Sequence, residues 1–501
     1  MDNIYTAFVD RVETHPNKAA VECDDGTAVT YRDLLEKSQR IASMLATAGV
    51  QPGDRVACQV QKSVRAVATY LAVLQIGGVY LPLNTAYTGA ELQYFLDDAE
   101  PAAVVVDPAA ASTVRDMRPT AALFTLDAAG NGTLSASDTR LTAVTPVGPG
   151  DPAAILYTSG TTGRSKGAVL THENLASNCR ALLEAWEFTE TDRLIHALPI
   201  FHIHGLFVAI NMSLTSGATL LWMDKFDVDG VVDRFTTATV LMGVPTFYTR
   251  LLASDRLTRS ATANMRLFVS GSAPLLSADF DAFYDRTGHH ILERYGMTET
   301  GMNTTNPYRG LRKAGSVGQP LPGVEVRVVE PHSGEALPAG QIGSIEVRGP
   351  NVFDRYWRNP EKTHEEKRDT GFFITGDQGF YDTDGYLHIS GRSKDMIISG
   401  GYNVYPKEIE QLLDEHPAVV ESAVIGVPHA DLGEGVVAVV VTTNGRLPSE
   451  AELNDLLADQ LARYKRPRAY RKVEHLPRNV MGKVQKAQLR EQFATVLTER
   501  P

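Results

Sequence analysis

Apolar side chains recur at Val64, Val67, Ala68, Leu71 and Leu74, the spacing of one helical face, and the run stops at Gly77-Gly78 before the strand-like Val79-Tyr80-Leu81. Short β-rich runs come next at Ala103–Val106 and at residues 155–157, 240–242 and 267–269. Helical stretches long enough for a crossover separate them, so the pattern predicts layered α/β subdomains. After about residue 320 the rhythm changes: runs at 324–329, 345–347 and 386–389 are punctuated by Gly and Pro, which predicts a mostly antiparallel sheet or a distorted β-barrel. A boundary is expected in Gly391-Arg392-Ser393-Lys394-Asp395, because the last hundred or so residues of the chain read as a compact α+β unit of their own. That unit should hold helices at 406–415 and 450–462 and strands at 419–427 and 436–442. The expected fold is therefore α/β, with a large N-terminal body (1–391), a linker (392–394) and a small C-terminal domain (395–501).

Composition narrows the function without naming it. A chain of 501 residues is long enough for several subdomains, and its net charge of −12 argues against broad nucleic-acid binding, which needs a basic face. Cys23, Cys58 and Cys179 are widely spaced and read as small buried apolar side chains rather than metal ligands or a redox pair. The start Met1-Asp2-Asn3-Ile4-Tyr5 lacks a basic region followed by an apolar stretch, and no apolar run approaches a membrane span. We expect a cytoplasmic protein with no membrane and no nucleic-acid partner.

The first chemistry lies after the strand-like residues 154–157, in Thr158-Ser159-Gly160-Thr161-Thr162-Gly163-Arg164-Ser165-Lys166-Gly167. Glycines let backbone N–H groups turn toward an anion, hydroxyls add donors, and Arg164 and Lys166 add charge, so the loop suits a polyphosphate. It is not the common P-loop, since no Gly directly precedes Lys166.

This loop, Tyr295-Gly296-Met297-Thr298-Glu299-Thr300, Thr375-Gly376-Asp377, Gly391-Arg392-Ser393-Lys394-Asp395 and the Gly482-Lys483 loop together resemble, in order, the signatures of the adenylate-forming superfamily of acyl-CoA synthetases, adenylation domains and luciferases. The resemblance spans most of the chain. It implies ATP, Mg²⁺ and coenzyme A as cofactors and a mobile C-terminal domain that carries the catalytic Lys483 over the body. Glu299 would be the Mg²⁺ ligand, with Thr298 on a phosphate oxygen and Asp377 and Arg392 on the ribose. Ser270-Gly271-Ser272-Ala273-Pro274 and Tyr295 resemble the adenine pocket, with Gly271 permitting close approach of backbone to the base. Lys394 occupies the hinge position, and Ser399-Gly400-Gly401-Tyr402 would line the pantetheine tunnel, Gly401 again for close approach. Such sites fit the chemistry: a carboxylate oxygen must be held in line with the α-phosphate while charge grows on the leaving diphosphate.

The acid is suggested by Leu198-Pro199-Ile200-Phe201-His202-Ile203-His204-Gly205, similar to the family's acyl-pocket motif, with His202 rather than His204 as the gating residue. Arg294 stands before Tyr295-Gly296, where most of the family has a small residue. A guanidinium there is a rigid donor fork suited to the second carboxylate of a small dicarboxylic acid, or alternatively a structural salt bridge. With Met302-Asn303-Thr304-Thr305-Asn306-Pro307-Tyr308, these strings resemble the malonate-activating branch of the family, which implies malonate held by His202, Ser270 and Arg294, with methylmalonate possible as a second acid. Four other readings stay open at this point: a synthetase for another short acid, a stand-alone adenylation enzyme loading a separate carrier, a luciferase-like oxygenase, and a nucleotide-binding regulator without catalysis.

Overall fold

The computed structural model describes residues 3–497, excepting 136, 159–164, 401, 430, 444, 459, 480 and 481. Among the described residues the strands form four sheets, and the short, almost continuously apolar runs of the sequence become the buried parallel strands of two of them. One is nine-stranded; its parallel centre runs in space through Leu292–Met297, Leu267–Ser270, Val240–Gly243, Arg193–His196, Thr219–Trp222 and Ala19–Glu22. The other is seven-stranded, with Pro152–Thr158, Val79–Pro82, Arg55–Gln59, Ala103–Val106 and Ala122–Thr125 parallel, and Lys166–Thr171 and Arg355–Tyr356 added antiparallel at one edge. Every interior strand run anticipated in these layers is present.

The helix Val64–Gln75 is also present, but its pattern understates its burial. Ser63 caps it, its side chain accepting from the Ala66 N–H, and every residue from Ala66 to Gln75 is buried, so the helix is enclosed on all sides. Gln75 Nε2 donates to the carbonyls of Leu141 and Ala143, at 2.6 and 3.0 Å, which lets a polar side chain sit in that core.

Beyond residue 320 the antiparallel alternative forms. Glu325–Val329, Gly343–Arg348, Phe373–Tyr381 and Leu387–Arg392 make a four-stranded antiparallel sheet in that order, rather than a closed barrel. Residues 397–497 have apolar clusters of their own, around Val424, Val436 and Leu453 on one side of a five-stranded sheet and Ile425, Val437 and Leu489 on the other. Strands Val419–His429 and Gly433–Thr442 cross this unit, and helix Pro406–Asp414 packs on it. The helix expected over 450–462 is the shorter Glu450–Ala458: Arg466 donates to the carbonyls of Ala458 and Leu461 and so satisfies the end of the helix. Among the described residues no helix is long and apolar enough to cross a membrane, and the three cysteines are free.

Candidate active site

Most of the expected site residues lie just past the carboxyl ends of the parallel strands, where open α/β sheets hold their ligands. Thr158 ends strand Pro152–Thr158, Ser270 ends Leu267–Ser270, and Thr298 and Glu299 form the turn after Leu292–Met297. Ser159, Gly160, Thr161, Thr162, Gly163, Arg164 and Gly401 lie outside the described residues.

Glu299 is 6% exposed and its Oε1 accepts from Thr158 Oγ1 at 3.2 Å and Tyr356 OH at 3.1 Å. Burial pushes its carboxyl up, against the hydrogen bonds it accepts and the nearby charge of Arg392. Among the described residues no group of three or more His, Cys, Asp or Glu could hold a metal by itself. A single buried carboxylate is still a suitable donor for Mg²⁺, which takes one or two carboxylates plus phosphate oxygens. Lys166 Nζ lies 3.0 Å from Glu366 Oε1 and 4.4 Å from the centre of the Tyr356 ring.

Asp377 and Arg392 are register partners on neighbouring strands, and Arg392 Nε meets Asp377 Oδ1 at 2.8 Å. Tyr295 OH donates to Asp377 Oδ2 at 2.5 Å, so the expected adenine-side ring and the expected ribose ligand share one network. The charge of Asp377 holds Arg392 above its ordinary pKa, and burial beside Asp377 raises that of Tyr295. At Gly296 a Cβ would lie 2.1 Å from the Gly301 carbonyl, so only glycine lets the next turn fold back this closely. Met297 and Thr298 are half-buried beside it.

On the acyl side, Arg294 is 3% exposed, and its Nε and Nη2 have no hydrogen-bond partner among the described residues. Burial pushes its guanidinium down to about 9, with Tyr248 opposing the shift. Ser270 Oγ and His204 Nε2 are also buried without a hydrogen-bond partner among the described residues. The open side of Gly271, expected to admit a base edge, is taken instead by Arg294: a Cβ there would lie 2.5 Å from Arg294 Cζ. Ser272 comes next with φ +72°, a strained conformation for a residue with a side chain, and makes a long 3.4 Å contact to His204 Nδ1. Ala273 is half-buried and Pro274 exposed in the turn toward helix Ser277–Thr287.

His202 and His204 precede and open a π-helical stretch, His204–Ile210, a rare form that recurs at functional sites. The backbone N–H of His204 donates to His202 Nδ1 at 3.3 Å, which puts the proton of the neutral ring on Nε2. Burial, then the charges of Lys483 and Arg294, push His202 down to about 3, so it is neutral near pH 7. His204 lies well below its ordinary value for related reasons, burial first and then Arg294.

Lys483 comes to this cleft from the C-terminal domain. Its loop is closed by Gly482 N–H to the Asn479 carbonyl at 2.9 Å, and a Cβ on Gly482 would lie 3.5 Å from Thr246 of the body. Loss of solvation and the charges of Arg392 and Arg294 lower its pKa, while Asp377 and Glu299 raise it. The side chain remains exposed to solvent, which limits that depression. Lys394 is exposed in the 3-10 turn Ser393–Asp395, which follows Arg392 directly.

The structure thus gathers Thr158, Arg294, Tyr295, Glu299, Asp377, Arg392, His202 and Lys483 around one cleft, with Ser270 at the end of a neighbouring strand. It adds Tyr248, Tyr356 and Glu366, which carry no local signature and are brought in only by packing. A surface cavity of about 270 Å³ lined by Glu187, Tyr308, Arg309 and Pro322 contains none of the expected residues.

Residues 8–357 match the family described as AMP-binding enzyme, and residues 408–483 match the AMP-binding enzyme C-terminal domain. A malonate–CoA ligase of Arabidopsis thaliana is 35% identical over 534 residues, covering 95% of this chain and 87% of that protein. A feruloyl-CoA synthase of an Amycolatopsis species is 37% identical over 489 residues, covering 97% and 98%. The crystal structure of ATP-bound MatB from Rhodopseudomonas palustris superposes with a TM-score of 0.96 at 53% identity, covering 99% of each chain.

Proposed function

Because the chain belongs to the AMP-binding enzyme family, we propose that it ligates malonate to coenzyme A: malonate and ATP give malonyl-AMP and diphosphate, then coenzyme A gives malonyl-CoA and AMP. It is an acid–thiol ligase. One observation carries the choice of acid: Arg294 is buried, and two of its guanidinium nitrogens have no hydrogen-bond partner among the described residues. Leaving such donors unmatched is costly, and a second carboxylate on the substrate satisfies them as a charge-assisted pair. A monocarboxylic acid leaves them unmatched. The similarity to a malonate–CoA ligase supports the same acid.

In this reading Arg294 and Ser270 hold the non-reacting carboxylate, and neutral His202 lines the reacting one without adding charge. Lys483 brings its ammonium to the oxygen that attacks the α-phosphate and offsets the charge that builds there. Asp377 accepts from the ribose hydroxyls, with Arg392 fixing its other oxygen, and Tyr295 lies along the base. Thr298, Lys166 and the loop Ser159–Gly163 with Arg164 bind phosphate oxygens. Glu299 would hold Mg²⁺ there, and the ion, when bound, would supply positive charge against the departing diphosphate. Three free cysteines support a reducing, cytoplasmic setting.

The test is AMP release with malonate, methylmalonate, succinate or acetate, each with and without coenzyme A, in the parent and in Arg294→Ala. Malonate should dominate, AMP turnover should need coenzyme A, and Arg294→Ala should lose roughly 10- to 100-fold in kcat/KM for malonate, the worth of one charge-assisted pair. Preference for acetate, with Arg294→Ala unselective, would leave the adenylating reaction and remove malonate.

A further inference from the structure

We propose that Tyr356 and Glu366 are positioning residues that join Lys166 and Glu299 into one hydrogen-bonded unit, so that when Lys166 engages a polyphosphate, Glu299 Oε1 is released to a divalent cation. The inference rests on the reading of Lys166 and Glu299 as phosphate and cation ligands.

The unit is continuous. Lys166 Nζ lies 3.0 Å from Glu366 Oε1, Tyr356 OH lies 2.6 Å from Glu366 Oε2, and the same hydroxyl lies 3.1 Å from Glu299 Oε1. A phenol has one proton for these two carboxylates. The shorter contact marks Glu366 as the main acceptor, and Glu299 receives only a share, together with the Thr158 hydroxyl at 3.2 Å. Tyr356 is 2% exposed and Glu299 6%, so little water competes and the division of that proton matters.

Lys166 sets the division. While its ammonium sits on Glu366, that carboxylate is partly neutralised and draws the phenol proton less strongly. When Lys166 turns to a phosphate, Glu366 keeps the Lys362 ion pair at 3.1 Å, draws the proton more strongly and takes it from Glu299. A carboxylate oxygen with one fewer donor is the better ligand for a hard cation. No group changes its protonation state in this exchange; one proton changes its preferred acceptor.

The scaffold suits such a task. Tyr356 is held on the edge strand Arg355–Tyr356, paired with Ala168 two residues past Lys166, and its backbone N–H donates to Thr363 Oγ1 at 3.0 Å. Glu366 ends the helix Pro360–Glu366, whose start is capped by Asn359. One short segment therefore fixes both residues against the strand that carries Lys166.

The experiment is calorimetric titration of the full chain with ATP, with and without Mg²⁺, for the parent, Tyr356→Phe, Glu366→Gln and the double variant, each first checked for an intact melting transition. Tyr356→Phe keeps the buried ring, and Glu366→Gln changes a half-buried side chain should the first variant fold poorly. Glu366→Gln should reduce the Mg²⁺-dependent gain in ATP affinity by roughly three- to tenfold, the size of one hydrogen bond among buried groups, because the phenol proton then stays on Glu299. Tyr356→Phe, which removes that proton, should keep the gain at or above the parent's, and the double variant should match Tyr356→Phe, because Glu366 acts on Glu299 only through the phenol. Equal losses with and without Mg²⁺, or a double variant that loses the gain as Glu366→Gln does, would mean a merely structural role and overturn the proposal. A parent that binds no ATP and forms no diphosphate with malonate would instead remove the reading on which it rests.

Discussion

At the scale of single residues, the pocket is arranged around Arg294. Its guanidinium needs the missing side chain of Gly271, since a Cβ there would stand 2.5 Å from Cζ. Gly271→Ala should therefore displace the guanidinium and raise KM for malonate roughly tenfold or more, because a shift near 1 Å in a positioned group suffices for such a loss. KM for ATP should move far less, and initial-rate kinetics against each substrate separates the two; a selective rise for ATP would return Gly271 to the base. The glycine and the arginine were both legible as unusual residues in their motifs. That they serve each other was not, because they are 23 positions apart and meet only where Ser270 pairs with Glu293 on adjacent strands.

At the scale of an element, strand Leu292–Met297 shows how one run of residues serves two tasks. Side chains alternate along a strand, so Arg294 turns toward the pocket while Glu293 turns to the other face. Glu293 is 5% exposed, with Oε2 unpartnered, and burial pushes its carboxyl up to about 8, against the pull of Lys407 and the Leu275 N–H. A group whose folded pKa is raised contributes stability that is complete below its unfolded value near 4.5 and is lost as pH rises toward 8. Glu293→Gln should therefore remove that loss and be more stable than the parent at pH 9 by roughly 1–3 kcal/mol, the cost of an unsatisfied buried group. Urea unfolding at pH 5 and pH 9 measures it, and an unchanged pH slope in the variant would exclude Glu293 as the source. Strand interiors in these layers were legible because apolar runs mark burial on both faces. The edge strand Arg355–Tyr356 was not, since two residues carry no periodicity and exist as a strand only by pairing with Val169 and Ala168.

At the scale of the molecule, the C-terminal domain presents Lys483 to the body through a loop against Thr246, and Pro406–Asp414 packs near Leu387–Arg392. We propose that residues 392–394 are the hinge through which this domain changes its face between the two half-reactions. Lys483→Ala should slow diphosphate release from malonate and ATP by roughly 10²–10³-fold, the range for removing one charge aimed at a transition state, and spare thioester formation from supplied malonyl-AMP. Lys394→Pro, which fixes φ at the hinge, should do the reverse. Separate assays of each half-reaction check this, and equal loss of both in both variants would exclude alternation about residue 394.

Sequence by itself determined the layered α/β body, the separate C-terminal unit and the family, because these depend on local matters: apolar periodicity, and glycines, carboxylates, hydroxyls and lysines in short motif strings. Tertiary structure alone decided which groups meet. Tyr356 and Glu366 join Glu299 and Lys166, His204 and Tyr248 join Arg294, and the helix at 64–75 is enclosed rather than one-faced. The physical reason is distance along the chain. A hydrogen bond between residues separated by tens or hundreds of positions is set by sheet order and register, and neither is encoded in the residues on either side of the bond.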